Sequence, residues 1–224
     1  FPWIFNATGA NDKSIKVIGG TYNYDIRTQH WSLEVNLEGY TLRDNGNGTW
    51  TVVKAVAKIG DVYYATLAEA VEAAQADDTV TLLRDATGAG VVIDKNVTID
   101  FGGFTYSFNE GVGSTGTKTN GFQILKGNDV TLMNGTLNVA EEAQDKFYIL
   151  VQNYSDLTVV DMTLDGTFLD KYSKTDGDSY VLSNNSGNVN IINTTIKANN
   201  DGDLAFAFDV CDSKSYTVKP VVYV

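Results

Sequence analysis

Four stretches of this chain can be laid one beneath another: residues 97–104, 130–137, 157–164 and 189–196. Position one is Val97, Val130, Leu157 or Val189; position three is Ile99, Leu132, Val159 or Ile191; position eight is Phe104, Leu137, Leu164 or Ile196. Position five is Asn134, Asp161 and Asn193 in three of them, and position seven is always Gly or Thr. A fifth copy, residues 15–22, lies near the start. Side chains alternate along a strand, so positions one and three share a face. Positions five to seven are small or polar and suit a bend. Position eight then begins a second strand with its side chain turned back inward.

The copies start at 97, 130, 157 and 189, so the spacing runs from 27 to 33 residues. A strand, a corner and another strand at that period suggest the coils of a parallel β-helix. One coil cannot hide its own inner face, so coils must stack. Stacking places Asn134, Asp161 and Asn193 above one another as a corner ladder, bonded between coils and to the backbone as buried polar groups require. The competing reading is that these residues only favour turns.

The 224 residues suffice for one large core or two modest ones, and 43% hydrophobic content marks a globular chain. Two Pro and 21 Gly fit many short strands. A net charge of −12 would repel nucleic acid. Cys211 is the only cysteine and His30 the only histidine. An internal disulfide, a cysteine zinc site and multi-histidine metal sites are therefore excluded. His30 reads as a surface-loop residue. No 18-residue apolar run is present to insert in a membrane. The C-terminal Val221 to Val224 reads as a strand cut short and the N-terminus enters a repeat without a cap, so the chain is expected to be a piece of a longer polypeptide or the ordered part of one.

In chain order, Gly39 to Leu42 leads to Asp44-Asn45-Gly46-Asn47-Gly48, a strong hairpin signal, and Trp50 to Val53 is the return strand. A second hairpin turns at Gly60-Asp61, giving hairpins across 40–65. Leu67, Ala70, Val71 and Ala74 then fall on one helical face, with Thr66 as N-cap and Glu69 closing a capping box. This helix, about 67–75, is expected to cover the first coil, because an open end invites aggregation. The coils follow as 91–108, 120–139, 147–167, 179–200 and 203–224, each opening on a short apolar strand. Residues 1–53 read as the end of a preceding β-helical segment with its closing hairpin. Residues 54–224 read as a capped coil stack truncated at its C-terminal end.

The run from Val56 to Val71, VAKIGDVYYATLAEAV, resembles the module opener of large repeat-bearing surface proteins of Gram-positive gut bacteria, and similar modules occur in phage fibre and structural proteins. Gly19-Gly20-Thr21-Tyr22, Gly39-Tyr40 and residues 44–52 look like the closing element of a preceding module. Residues 149–158 and 205–211 are similar to the β-helical part. The resemblance covers most of the chain except about 23–37. It implies an all-β, right-handed parallel β-helix in an extracellular, cell-surface or virion setting. It carries no catalytic motif.

Many β-helices cleave polysaccharides, and that chemistry needs clustered carboxylates for calcium, which takes six to eight oxygens, with a basic residue nearby. Asp161 and Asp165 share a coil and are the catalytic candidates. Asp170, Asp176 and Asp178 follow in a loop with Lys171 and Lys174, and they are the candidate metal ligands. Calcium is the one cofactor such a loop would take; otherwise none is expected. A hydrolase needs two carboxylates roughly 5–9.5 Å apart across a groove, and Asp100 joins the candidates by position. Against both stand the three Arg residues, Arg27, Arg43 and Arg84, none of which lies in the coils from residue 91 onward. An acidic loop of an acidic protein is also commonly just solvated.

Trp31, Tyr40 and Trp50 are the binding candidates, since flat aromatic faces suit sugar rings or partner proteins. Edge packing between the two segments is their competing role. Seven Asn-x-Ser/Thr triplets occur, at Asn6, Asn47, Asn96, Asn134, Asn153, Asn184 and Asn193, and the repeat itself generates several of them. The expected function is a non-enzymatic structural or adhesive module. It would bind a glycan or partner protein, adjoin neighbouring modules of the same polypeptide, and leave homo-oligomerisation open. The alternative is a β-helical polysaccharide lyase or glycoside hydrolase working in an acidic groove.

Overall fold

Apolar residues collect in two separate cores. The computed structural model of the protein describes residues 13–28, 33–113, 118–170, 179–199, 205–212 and 220–224. The smaller core holds Val17, Ile26, Leu42 and Val52, with Ile15, Tyr22, Tyr24, Val35, Leu37, Tyr40 and Trp50 packed around it. It is built by β1 (Lys13–Lys16), β2 (Thr21–Tyr22), β3 (Leu33–Asn36), β4 (Tyr40–Asp44) and β5 (Trp50–Lys54). β1 and β3 pair in parallel, as successive rungs of a coil do. β4 and β5 form the expected hairpin, and β2 adds to β5 antiparallel. Residues 15–22 are therefore a coil-like strand followed by a hairpin partner, and they do not stand in the column of the other four copies.

β6 (Ala57–Ile59) and β7 (Val62–Tyr64) make the second hairpin, turning at Gly60 with a φ of 53°. α1 (Leu67–Ala73) follows, two residues shorter than the periodicity predicts. Thr66 accepts from the Glu69 N–H, but Glu69 reaches the N–H of Ala65 rather than that of Thr66. The helix stops because Ala74 turns to ψ 142°. Lys95 from the next coil donates its Nζ to the carbonyls of Glu72 and Ala74, filling acceptors that a helix end leaves bare. Leu67, Ala70, Val71 and Ala74 enter the main core beside Val80, Leu82, Val91 and Ile93, so the helix does cover the first coil. Replacing Thr66 by Ala is expected to cost about 1 kcal/mol, a fall of roughly 3 °C in Tm for a chain of this size, read by thermal circular dichroism.

Beyond the helix the chain winds as a right-handed parallel β-helix with three faces. The first turn is β8 (Asp78–Leu82), β9 (Ala86–Ala89) and β10 (Val91–Ile93), and the next is β11 (Val97–Asp100), β12 (Thr105–Glu110) and β13 (Asn120–Ile124). Later turns run through β14 (Asp129–Val139) and β15 (Ile149–Asn153), then β16 (Asp156–Asp165) and β17 (Ser179–Asn185). The last described strands are β18 (Asn188–Ile192), β19 (Thr195–Lys197), β20 (Ala205–Cys211) and β21 (Val221–Tyr223). β14 and β16 are long because each bends round a corner and serves two faces.

The expected column forms. Val97, Val130, Leu157 and Val189 are successive parallel partners, none more than 3% exposed. The short apolar coil-openers form a second column, Val91, Phe122, Val151, Leu182 and Phe208. One alignment of the octets is corrected. Leu137 stands opposite Tyr106, not Phe104, because the register moves from Asp100↔Met133 to Thr105↔Thr136. The corner after β11 is two residues longer than the one within β14. Gly102 and Gly103 absorb the excess at φ 60° and 82°, a region most side chains avoid. The antiparallel β6–β7 hairpin pairs with β8 and finishes that edge of the sheet.

Candidate functional site

The corner residues adopt the conformation that explains their type. Asn134, Asp161 and Asn193 have φ of 62°, 54° and 45°, the left-handed region that Asn and Asp tolerate better than other side chains. All three are exposed, so the expectation of a buried corner is corrected: nothing at this corner requires burial. Bonds between coils exist, but in separate pairs. Asn193 donates to Asp161 at 2.5 Å, whereas Asn134 donates to Asp100 at 3.2 Å.

A buried asparagine ladder does exist at a different corner, where the third face returns to the first. Asn153 and Asn184 are both 0% exposed. Asn153 Nδ2 donates to Asn184 Oδ1 at 3.0 Å and to the Ser155 carbonyl at 2.8 Å, while its Oδ1 accepts from the Ser155 N–H. Asn184 Nδ2 donates to the Gly187 carbonyl at 2.8 Å. Ser155 Oγ continues the chain downward, bonding both the N–H and the carbonyl of Asn128. These asparagines lie in two of the Asn-x-Ser/Thr triplets, and their burial removes them as glycosylation acceptors in the folded protein. The available signal was Asn153-Tyr154-Ser155 recurring 31 residues later as Asn184-Asn185-Ser186. Spacing alone does not tell which corner faces inward.

The carboxylates singled out by spacing are engaged structurally where they are described. Asp161 sits at its corner and bonds Asn193. Asp165 Oδ1 accepts from the backbone N–H and the hydroxyl of Thr167, and its Oδ2 meets Lys197 Nζ at 3.0 Å. Burial works against the charged form of Asp165. The Thr167 hydrogen bonds and the Lys197 ammonium outweigh it and hold the carboxyl below its ordinary value of 3.8. Asp170 pairs with Lys146 at 2.8 Å. Asp176 and Asp178 lie outside the described residues, as do Lys171, Lys174, His30 and Trp31. Among the described residues, no three His, Cys, Asp or Glu side chains converge to hold a metal ion.

A depressed carboxyl gives a definite acid signature. When the folded value lies below the unfolded one, the contribution is present above the unfolded value near 3.8 and is lost as pH falls through the folded value. Lys197 is 53% exposed, so the effect is small. The wild type is expected to lose slightly more Tm than Asp165→Asn between about pH 5 and 2.5. Parallel thermal melts test this, and equal slopes would remove the pair from the acid limb.

Tyr40 and Trp50 pack partly buried against the smaller core. A more concave surface lies where that unit meets the first coil. Lys16, Glu38, Gly39, Lys54 and Ala55 line one side and Tyr63, Leu83 and Arg84 the other, around a cleft of about 730 Å³. Two backbone bonds hold its walls: Ala55 N–H to the Gly39 carbonyl at 3.1 Å, and Leu83 N–H to the Val56 carbonyl at 2.9 Å. Lys16 and Glu38 approach to 3.8 Å across its rim. Tyr63 also lines a second cleft of about 460 Å³ with Arg27, Glu69 and Glu72, where Arg27 is bound to Asp25 at 2.7 Å. Residues 16, 38, 54, 63 and 84 are scattered in sequence, and no motif joins them. Comparison of the chain with protein-family models, with curated proteins and with solved structures gives no match in any of the three.

Proposed function

We propose that this chain is a non-enzymatic structural and adhesive module of an extracellular surface protein or phage fibre, one that holds a glycan or a partner protein. The observation that carries this reading is the engagement of the candidate carboxylates among the described residues. Asp161 serves a left-handed corner, Asp165 is matched to Lys197 and Thr167, and Asp170 is matched to Lys146. A general acid needs a raised value near working pH, and that of Asp165 is lowered. The stacked interior supports the same reading, since a solenoid sums small neighbour contacts into a stiff rod. The surface-protein resemblance in residues 56–71 supplies the setting.

The test is incubation with a panel of acidic and neutral polysaccharides, with and without calcium, followed by product analysis and by retention on the same glycans immobilised. Retention without cleavage is the expected result. Product formation that disappears in Asp165→Ala, with the fold intact by circular dichroism, would overturn the reading. Among the described residues no helix is long and apolar enough to cross a membrane.

A further inference from the structure

We infer that the cleft between the hairpin unit and the first coil binds a saccharide bearing an anionic group, a uronate carboxylate or a sugar sulfate. The inference rests on the adhesive reading and names the ligand class for one site.

The charge distribution points to it. The chain carries 28 acidic against 16 basic residues, yet Lys16, Lys54 and Arg84 line a single cleft whose only carboxylate among the described residues is Glu38. Lys16 is the cation that Glu38 meets, at 3.8 Å. Among the described residues, Lys54 and Arg84 have no carboxylate at ion-pair distance. The neighbouring acid, Asp85, is turned to the backbone N–H of Thr105 at 2.8 Å. Cations left unmatched around one concave surface raise the local potential toward an incoming anion, even when the protein as a whole repels one. Arg84 supplies a planar fork suited to a carboxylate or sulfate, and Lys54 a mobile point charge.

The remaining wall suits a sugar. Tyr63 is half-buried at the edge, with an apolar ring and a hydroxyl that makes no hydrogen bond within the described protein. An aromatic face beside cationic donors can take both the flat side of a pyranose and its charged substituent. The volume of about 730 Å³ accommodates an oligosaccharide segment. The second junction cleft does not share this character, because Arg27 is matched to Asp25 and faces Glu69 and Glu72.

The experiment uses the whole chain and calorimetric titration with three probes: an oligogalacturonate, its methyl ester, and a sulfated oligosaccharide of similar length. One or both charged probes should bind and the methyl ester should bind at least about tenfold more weakly. Affinity should fall with added salt. Arg84→Gln and Lys54→Gln should each weaken binding about fivefold or more, and Tyr63→Ala should weaken it also. Arg43→Gln, an exposed cation outside the cleft, should leave it unchanged. All these positions but Tyr63 are exposed, so thermal melts should match the wild type. Equal binding of the methyl ester, an unaltered Lys54→Gln/Arg84→Gln double variant, an equal loss in Arg43→Gln, or no binding of either charged probe overturns the inference. Retention on neutral glycans alone would do so while leaving the adhesive reading in place.

Discussion

Replacing Asn153 by Leu should cost about 4 kcal/mol and lower Tm by on the order of 10 °C. The side chain is fully buried and makes three hydrogen bonds to neighbours: from the Ser155 N–H, to the Ser155 carbonyl and to Asn184 Oδ1. Leu has the same branching but is larger, so it opens no space, crowds a closed site and can make none of these bonds. Each buried group left without a partner costs roughly 1–3 kcal/mol, and the gain from burying a more apolar side chain offsets part of the total. Water cannot easily repair the loss at a site with no exposure. The control is Asn134→Gly at the exposed corner. Gly reaches φ 62° without strain, so that variant should stay within about 0.5 kcal/mol of wild type. Differential scanning calorimetry of both variants decides it. If Asn153→Leu also lies within about 1 kcal/mol, the buried ladder contributes nothing that packing does not.

Those two asparagines also mark how far the sequence could be read. Both sit in Asn-x-Ser/Thr triplets at the ends of apolar runs, and nothing local separates them. Asn134 is exposed because its corner bulges outward in a left-handed conformation, whereas Asn153 is buried because the rungs above and below close over it. Burial at a corner is a property of the stack, and no single rung contains it. The inward columns were legible, since a period of two assigns each side chain to a face whatever lies beyond. The misplacement of Phe104 has the opposite cause. Period fixes the face but not the length of the bend between faces, and Gly102-Gly103 lengthens one bend by two residues. Helix and hairpins were legible from capping and turn chemistry, which are local. The cationic cleft was not, because it joins residues 16, 38, 54, 63 and 84 across two units. Net charge even argued against an anionic ligand. A total over 224 residues says nothing about where an unmatched minority collects.

Removing the Phe122 ring should destabilise the β-helix as strongly as any single change within it. Phe122 is 0% exposed, stacked on Phe101 at 6.4 Å and edge-on to Tyr106 at 6.1 Å. Phe→Ala in a closed interior costs about 3–5 kcal/mol, depending on whether the surroundings can collapse into the space. Here they cannot. β13 is held by parallel ladders on both sides, Val91↔Phe122 below and Phe122↔Val151 above, and a shift inward would break both. The adjacent Gly121 already lets Phe108 approach its backbone as closely as a missing Cβ permits. Tyr106 is fixed by its hydroxyl, which donates to the Ala89 carbonyl at 2.6 Å, and burial pushes its titration well above the ordinary value, so it stays a neutral donor. The cavity therefore persists and the cost falls in the upper half of the range, a drop of about 10 °C or more. Phe122→Leu, which keeps most of the volume, should cost less than half as much. Because each rung touches only its neighbours, the damage should also be local at first. Amide exchange in Phe122→Ala should quicken in β10, β13 and β15 before it changes in β18. Uniform quickening along the whole stack, or a loss under about 1.5 kcal/mol, would mean that the interior near Phe122 is not close-packed as these contacts require.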